Sequence, residues 1–357
     1  MPVRIGVVGV GKFGVNHLRA FRQAGWDGRA QLVAAADTDE RRLEEARQEF
    51  AVKGYSDYRV MIEKEKLDAV TIVTPDHLHR EIALFALDAA KHILVEKPLD
   101  VTVQGCLEIL EKGRQAGRLV QVDFHKRYDP YHLELERLVR AGELGDIEYG
   151  YVHMEDRLEV PRDWFPHWAP RSSPNWFLGV HFYDLVRWVL KSDGKRVFAT
   201  GRKAKLTSLG VDTWDSIHAH VEFENGAQVT FHSSWILPDR FEAIVNQGLR
   251  LVGTEGLIEI DSQSRGAEMA SAKRGQATLN MGFLREYRDR KGRTNWAGYG
   301  IESILDFADN VNHLLEGGKL EDLGGRYPSA EDGLEVTRIA SAVEESIASG
   351  APVKVQR

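Results

Sequence analysis

Thr74-Pro75-Asp76-His77-Leu78-His79, Glu96-Lys97-Pro98, Phe124-His125-Lys126-Arg127-Tyr128 and His181-Phe182-Tyr183-Asp184 are the stretches of this chain where acids, bases and cations bunch together. Lys97 directly follows the apolar run His92–Glu96, where packing does not require a lysine. There it can act as a fixed cation or, with a lowered pKa, as a proton carrier. Pro98 biases it toward extended backbone. A strand-end lysine is also a common surface residue, and a histidine at a helix start is commonly a cap or core group. Residue type alone leaves both readings open. His181 and Asp184 would lie one helical turn apart. The 13 histidines include no His-Glu-x-x-His helix, and the single cysteine, Cys106, allows no Cys–His set, so no metal site is expected.

These groups need something to act on, and the start of the chain suggests it. The apolar run Val3–Val8 breaks into Gly9-Val10-Gly11-Lys12-Phe13-Gly14, followed by the helix-like Val15–Gln23. In such a turn Gly9 makes the bend, Gly11 lets a pyrophosphate approach the backbone, and Gly14 lets the helix pack close to the strand. The helix amino terminus offers N–H groups to phosphate. A second run, Gln31–Ala36, ends on Asp37, placed to accept the adenosine ribose hydroxyls. Asp37 and Asp39 would also repel a 2′-phosphate, so NAD is expected over NADP, with Arg41 and Arg42 the only local counterweight. The plainer alternative is an ordinary glycine turn with a strand-end carboxylate.

The elements that must position these residues alternate through the first third. Val3–Val8, Gln31–Ala36, Ala69–Thr74, His92–Glu96 and Leu119–Phe124 look like short buried strands, separated by amphipathic segments such as Glu40–Phe50 and Arg80–Ala90. This predicts a doubly wound parallel sheet, at whose carboxyl edge ligands bind. Past residue 125 the pattern changes. A helix is expected over Tyr131–Ala141. Ile147–Met154, Arg196–Arg202, Ser216–Glu222 and Gln228–Ser234 alternate in polarity, with a turn at Glu224-Asn225-Gly226. Leu249–Val252 and Leu257–Ile260 flank another turn, and a final helix is expected over Ala330–Ser349. Such alternation predicts an antiparallel sheet with one covered face. Residues 262–279 are expected to be an exposed loop, and the basic run Phe283–Arg293 a solvated surface, with a site for an acidic substrate group as the alternative.

Composition bounds the function. At 357 residues two domains are expected, 1–124 and 125–357. A net charge of −7 without a basic face argues against a nucleic-acid binder. No apolar run is long enough to span a membrane and no secretory signal is visible, so with one cysteine we expect a cytoplasmic protein.

The ordered set Gly9-x-Gly11-x-x-Gly14, Thr74-Pro75 with His79, Glu96-Lys97-Pro98, Phe124-x-x-Arg127-Tyr128 and His181-x-x-Asp184 resembles the glucose–fructose oxidoreductase/inositol dehydrogenase/rhizopine catabolism (Gfo/Idh/MocA) family. The likeness extends through Leu138–Gly145 and Ser346–Val355. It implies a Rossmann domain followed by an α/β domain with a large open, mostly antiparallel sheet, whose outer face mediates homodimers or homotetramers. It also implies NAD(H)-dependent hydride transfer at a secondary alcohol of a sugar, polyol or sugar derivative. Catalysis falls to Lys97 and His181. The cofactor falls to Gly9, Gly11, Lys12, Phe13, Gly14, Asp37, Thr74, Pro75, His79, Glu96 and Lys97.

One position departs from the family. Members that oxidise inositols or sugars commonly carry an aspartate four residues before the histidine, where this chain has Phe177. Asp156, Asp163 and Glu155 are candidate replacements. The neighbourhood is aromatic: Trp164, Trp168, Trp176 and Trp188 are half of the chain's 8 tryptophans. Such a wall suits a sugar ring, with His167 meeting hydroxyls, and equally suits an interface. The expected substrate residues are Arg127, Trp164, His167, Trp176, Phe177, His181 and Asp184. Two rival readings keep the same fold: a non-catalytic dinucleotide-binding sensor, and a glycoside-cleaving enzyme that oxidises a sugar transiently.

Overall fold

The computed structural model describes residues 1–263, 266–273 and 275–357, which divide into two compact units. The chain first runs through β1 (Val3–Val8), α1 (Gly14–Ala24), β2 (Ala30–Ala36), α2 (Glu40–Phe50), β3 (Lys53–Tyr55), α3 (Tyr58–Lys64), β4 (Ala69–Ile72), α4 (His79–Asp88), β5 (His92–Val95), α5 (Val103–Ala116) and β6 (Val120–Val122). The strands pair in the order β3-β2-β1-β4-β5-β6, all parallel. Central strands β4 and β5 are buried on every residue, as a sheet covered on both faces requires. Local chemistry starts the helices where they are needed. The Asp39 side chain accepts Arg41 N–H at 3.0 Å to open α2, and Thr102 Oγ1 accepts Gly105 N–H at 3.0 Å to open α5.

The second unit begins with α6 (Pro130–Arg140) and β7 (Ile147–Arg157) and continues through α7 (Val180–Leu190), β8 (Gly194–Arg202), α8 (Lys205–Ser208), β9 (Ser216–Phe223), β10 (Gln228–Leu237), β11 (Val245–Gly253), β12 (Leu257–Asp261), β13 (Glu268–Ser271) and β14 (Gly275–Thr278). Two π-helical turns, Val160–Trp164 and Asn175–Gly179, precede α7. After β15 (Arg285–Arg288), β16 (Thr294–Ala297) and α9 (Tyr299–Leu315), which fall in the first unit, come α10 (Ala330–Ser349) and β17 (Val353–Lys354). The second sheet is ordered β12-β11-β7-β10-β9-β8-β17. Its pairs are antiparallel except β10 with β7, which is parallel. Along β7, Val152 and Met154 are buried while Tyr149 and Tyr151 are exposed, the one-sided alternation expected.

A single boundary at 124/125 does not describe these units. The first comprises 1–129 with 281–334, the second 130–280 with 335–357. The reason is apolar: Trp296, Ile301, Ile304, Phe307, Ala308 and Val311 share one core with Val3, Ile5, Val7, Leu18 and Phe21. Within the stretch expected as an exposed loop, the described residues Glu268–Ser271 and Gly275–Thr278 pair as antiparallel strands, while 264, 265 and 274 lie outside the described residues. Among the described residues no helix is long and apolar enough to cross a membrane.

Candidate active site

The glycine turn has the shape a pyrophosphate requires. Gly9 has φ +92°, and a Cβ there would lie 2.3 Å from the Val73 carbonyl oxygen. At Gly14 a Cβ would lie 2.1 Å from the Gly9 carbonyl oxygen, so both positions exclude side chains through backbone contact. Gly11 differs: the nearest protein atom to its Cβ position is Arg42 Nη1, at 3.6 Å. That opening and the α1 amino terminus fit a dinucleotide. Lys12 and Phe13 are exposed at the tip. Asp37 accepts Val10 N–H at 2.8 Å and Asp39 N–H at 2.9 Å, so its carboxylate also braces the turn. Arg42 lies beside it, with Nη1 4.0 Å from Asp37 Oδ2 and Nε 3.4 Å from Asp39.

At the carboxyl edge of β4 and β5 the expected residues gather. Thr74 and Pro75 follow β4, and Lys97, 8% exposed, follows β5 and Glu96 and is joined to Pro98 by a cis peptide. His79 is buried, with Nδ1 2.7 Å from the Pro98 carbonyl and Nε2 2.9 Å from the Thr74 carbonyl. Burial lowers its pKa, against the pull of those carbonyls and of Asp76. A neutral ring has one N–H and donates to one of these carbonyls, so His79 sits between the two strand-end turns and shapes the site from behind.

Glu96 likewise turns inward. His17 Nε2 lies 3.2 Å from Glu96 Oε1 and 3.9 Å from Asp123 Oδ2. All three side chains are buried. Burial pushes His17 down to about 4, so the ring is neutral, and its Nε2–H donates to Glu96. Burial pushes Glu96 up, and burial together with the Glu96 charge pushes Asp123 up to about 8. Their ligand-type atoms lie within 4.8 Å of one another, close enough for a metal set that motif spacing did not show.

Arg127 is 8% exposed and pairs with Asp332 at 3.2 Å, so its guanidinium serves an internal ion pair. Tyr128 Oη donates to Asp306 at 2.6 Å, and Gln121 and Asn310 donate to the same carboxylate.

In the second unit, His181 and Asp184 are both buried one turn apart on α7. Before them Phe177, half-buried, packs its ring 5.2 Å from Trp168, 5.8 Å from Trp235 and 6.0 Å from Phe165. Trp164 and Trp176 are half-buried and His167 is exposed. Of the three candidate carboxylates, only Asp156 is buried, alternating with the exposed residues of β7. Glu155 faces the other way and binds His232 at 3.2 Å and Asn246 at 2.8 Å, while Asp163 pairs with Arg162 at the surface.

His17, Asp123, Tyr128 and Asp306 form buried polar contacts at this edge that motif reading passed over. His17 had a usable signal, since it falls one turn after Gly14 on the same helix face. Asp123, directly after β6, sits at the sheet edge where ligands bind.

Residues 3–124 match the model of the oxidoreductase family with an NAD-binding Rossmann fold, and 132–259 match the GFO/IDH/MocA C-terminal domain. An inositol 2-dehydrogenase from Saccharopolyspora erythraea is 30% identical, the alignment covering 99% of this chain and 96% of the relative. The fold superposes on the crystal structure of myo-inositol 2-dehydrogenase from Lactobacillus plantarum with TM-score 0.81 and 22% identity, over 100% of both chains. It also matches scyllo-inositol dehydrogenase from Lactobacillus casei, solved with NAD(H) and scyllo-inositol, with TM-score 0.77 and 22% identity over 99% of each chain.

Proposed function

The chain belongs to the Gfo/Idh/MocA family of NAD-binding oxidoreductases, and from that premise we propose that it is an NAD(H)-dependent dehydrogenase. Its substrate is a secondary alcohol of a sugar, polyol or sugar derivative. The carrying observation is the carboxyl edge of the parallel sheet, where the glycine turn, open at Gly11, and the nearly buried Lys97 stand on strands β1 and β5. Gly9, Gly11 and Gly14 with the α1 amino terminus would hold the pyrophosphate, and Asp37 the adenosine ribose. That carboxylate favours NAD over NADP through like-charge repulsion of a 2′-phosphate. When bound, the nicotinamide supplies hydride acceptance and return.

Lys97 hydrogen-bonds the substrate oxygen and stabilises the negative charge that develops on it; His181 takes its proton. Phe177 removes the carboxylate that would grip a free hydroxyl, so the preferred substrate carries an apolar or modified group there. Efficient oxidation of free inositols is not expected. The exposed face of the second sheet, with Tyr149, Tyr151 and Phe198, suits a homodimer or homotetramer, and one cysteine suits the cytoplasm. A panel of sugars, polyols, sugar acids and substituted sugars, followed by nicotinamide absorbance with each cofactor, tests the reading. Turnover with NAD supports it, whereas tighter NADP binding would overturn the cofactor assignment.

Phe177 also favours a second reading, a dinucleotide-binding sensor without turnover. NAD binding with no turnover across the panel would select it. Net glycoside hydrolysis with no net cofactor change would select the glycoside-cleaving reading instead.

A further inference from the structure

The His17–Glu96–Asp123 cluster lies beneath the Lys97 turn and is drawn from three separate segments. Glu96 is its hub. It accepts from His17 Nε2 at 3.2 Å, lies in hydrogen-bond contact with Asp123, and has its ligand-type atom within 4.8 Å of those of both. It also immediately precedes Lys97, so the Lys97 backbone is joined directly to the cluster. Two carboxyls in hydrogen-bond contact within a buried site cannot both ionise cheaply, and a proton between them relieves the repulsion. His17 cannot supply a compensating charge, because its buried ring is neutral and its Nδ1 has no hydrogen-bond partner.

We propose that Asp123 and His17 are positioning residues for Lys97: Asp123, carrying a proton, and His17 both donate to Glu96, so that the cluster shows Lys97 one negative charge and holds its backbone in place. One charge orients the ammonium toward the substrate oxygen. A second would draw it back and weaken its hydrogen bond to that oxygen. The role rests on the dehydrogenase reading above, in which Lys97 meets the reacting oxygen. Other groups bear on the pair: Lys97 after β5, Tyr128 in the turn after β6, and from α9 Ser303 beside Asp123 and Asp306 beyond Tyr128.

Asp123→Asn and Asp123→Ala in the full-length protein separate this from simple packing. Asparagine keeps a donor to Glu96 at every pH, and alanine supplies none. At neutral pH Asp123→Asn is expected to hold kcat within about threefold of wild type. Asp123→Ala is expected to lose tenfold or more in kcat with KM and NAD affinity little changed, on the order of one hydrogen bond to a charged group. The pH profile is decisive. Wild-type kcat should decline as Asp123 loses its proton near pH 8, and Asp123→Asn should lack that limb. Two further readouts need no turnover. A carboxylic-acid carbonyl band in the infrared should titrate near pH 8 in wild type and vanish in Asp123→Asn. Acetylation of Lys97 by acetic anhydride, read by peptide mass spectrometry, should run faster in Asp123→Asn than in wild type above that pH.

Coincident pH profiles for wild type and Asp123→Asn would overturn the proposal. So would absence of the infrared band, or one equivalent of divalent metal retained by the purified protein. If no substrate turns over, the dehydrogenase reading fails, while the infrared and acetylation readouts still decide the shared proton and its effect on Lys97.

Discussion

Two histidine–carboxylate pairs in this molecule have the same separation and opposite electrostatics. His17 Nε2 stands 3.2 Å from Glu96 Oε1 beneath the parallel sheet edge, and His232 Nε2 stands 3.2 Å from Glu155 Oε1 on the outer face of the second sheet. Glu96 is pushed above its ordinary value, chiefly by burial. Glu155, with its side chain 20% exposed, is pulled below it, chiefly by the His232 hydrogen bond. Contact geometry does not decide the outcome; access to water does. Where burial wins, a carboxyl keeps a proton and becomes a donor. Where solvent remains, the same contact favours an ordinary anion.

The largest expected effect contrasts a cation in each region. Lys97→Ala should lower kcat by about a hundredfold or more while leaving NAD affinity largely intact, as for a group that acts chiefly in the transition state. Arg250→Ala, on the exposed sheet face against Glu259, should change neither. Steady-state kinetics with isothermal titration of NAD checks both, and near-normal turnover in Lys97→Ala would remove that lysine from the mechanism.

Deleting each histidine sharpens the contrast. His17→Ala leaves Glu96 short of a donor in a buried site and should cost about 3 kcal/mol. His232→Ala should cost well under 1 kcal/mol, the range of exposed pairs. Urea unfolding measures both, and equal losses would break the comparison.

Stability should also depend on pH in a window the buried pair defines. Asp123 keeps its proton to about pH 8 when folded but releases it near 3.8 when unfolded. The folded state therefore binds the extra proton across that range, and stability falls as pH rises. His17 has the opposite sign. Pushed down to about 4 from 6.5, it costs stability as pH falls below 6.5. His79, His92, His153 and His218 are pushed down as well and share the sign of His17, so the carboxyl pair is read from the difference between wild type and Asp123→Asn. From pH 6.5 to 8 wild type should lose on the order of 2 kcal/mol relative to Asp123→Asn, the histidines being common to both. Glu155, being depressed, contributes only above its folded pKa, and that contribution is lost on acidification.

The smallest effect tests a position where the nearest protein atom, Arg42 Nη1 at 3.6 Å, leaves room for a methyl group. Gly11→Ala should leave the melting temperature unchanged and weaken NAD binding by about tenfold, roughly 1.4 kcal/mol. Gly14→Ala, against a backbone oxygen, should destabilise the fold itself.

Much of this was legible because its determinants are local. The span of β1, the glycine turn, the limits of α2 and the run of α10 follow from apolar periodicity, turn residues and caps a few positions apart. What escaped depends on partners distant in sequence. His17 is readable as a helix residue, but Glu96 and Asp123 meet it only through the order of β1, β5 and β6. Phe177 reads as a replacement for a carboxylate from its place before His181, but its ring contact with Trp235, far along the chain, is not legible. The period of α9 is clear at Ile301, Ile304, Phe307, Ala308 and Val311, but its destination beside β1 is not.

That last helix sets a schedule for the growing polypeptide. Strands β1 to β6 are all synthesised by residue 122, yet the core they share with α1 still lacks Ile301, Ile304, Phe307 and Val311. Apolar surface on that side stays uncovered while more than 180 further residues are added, the segment 130–280 of the second unit included. The nucleotide-binding half is begun first and finished late. A fragment ending at 124 would thus expose a sticky flank, and a ribosome-bound chain needs protection there until α9 emerges.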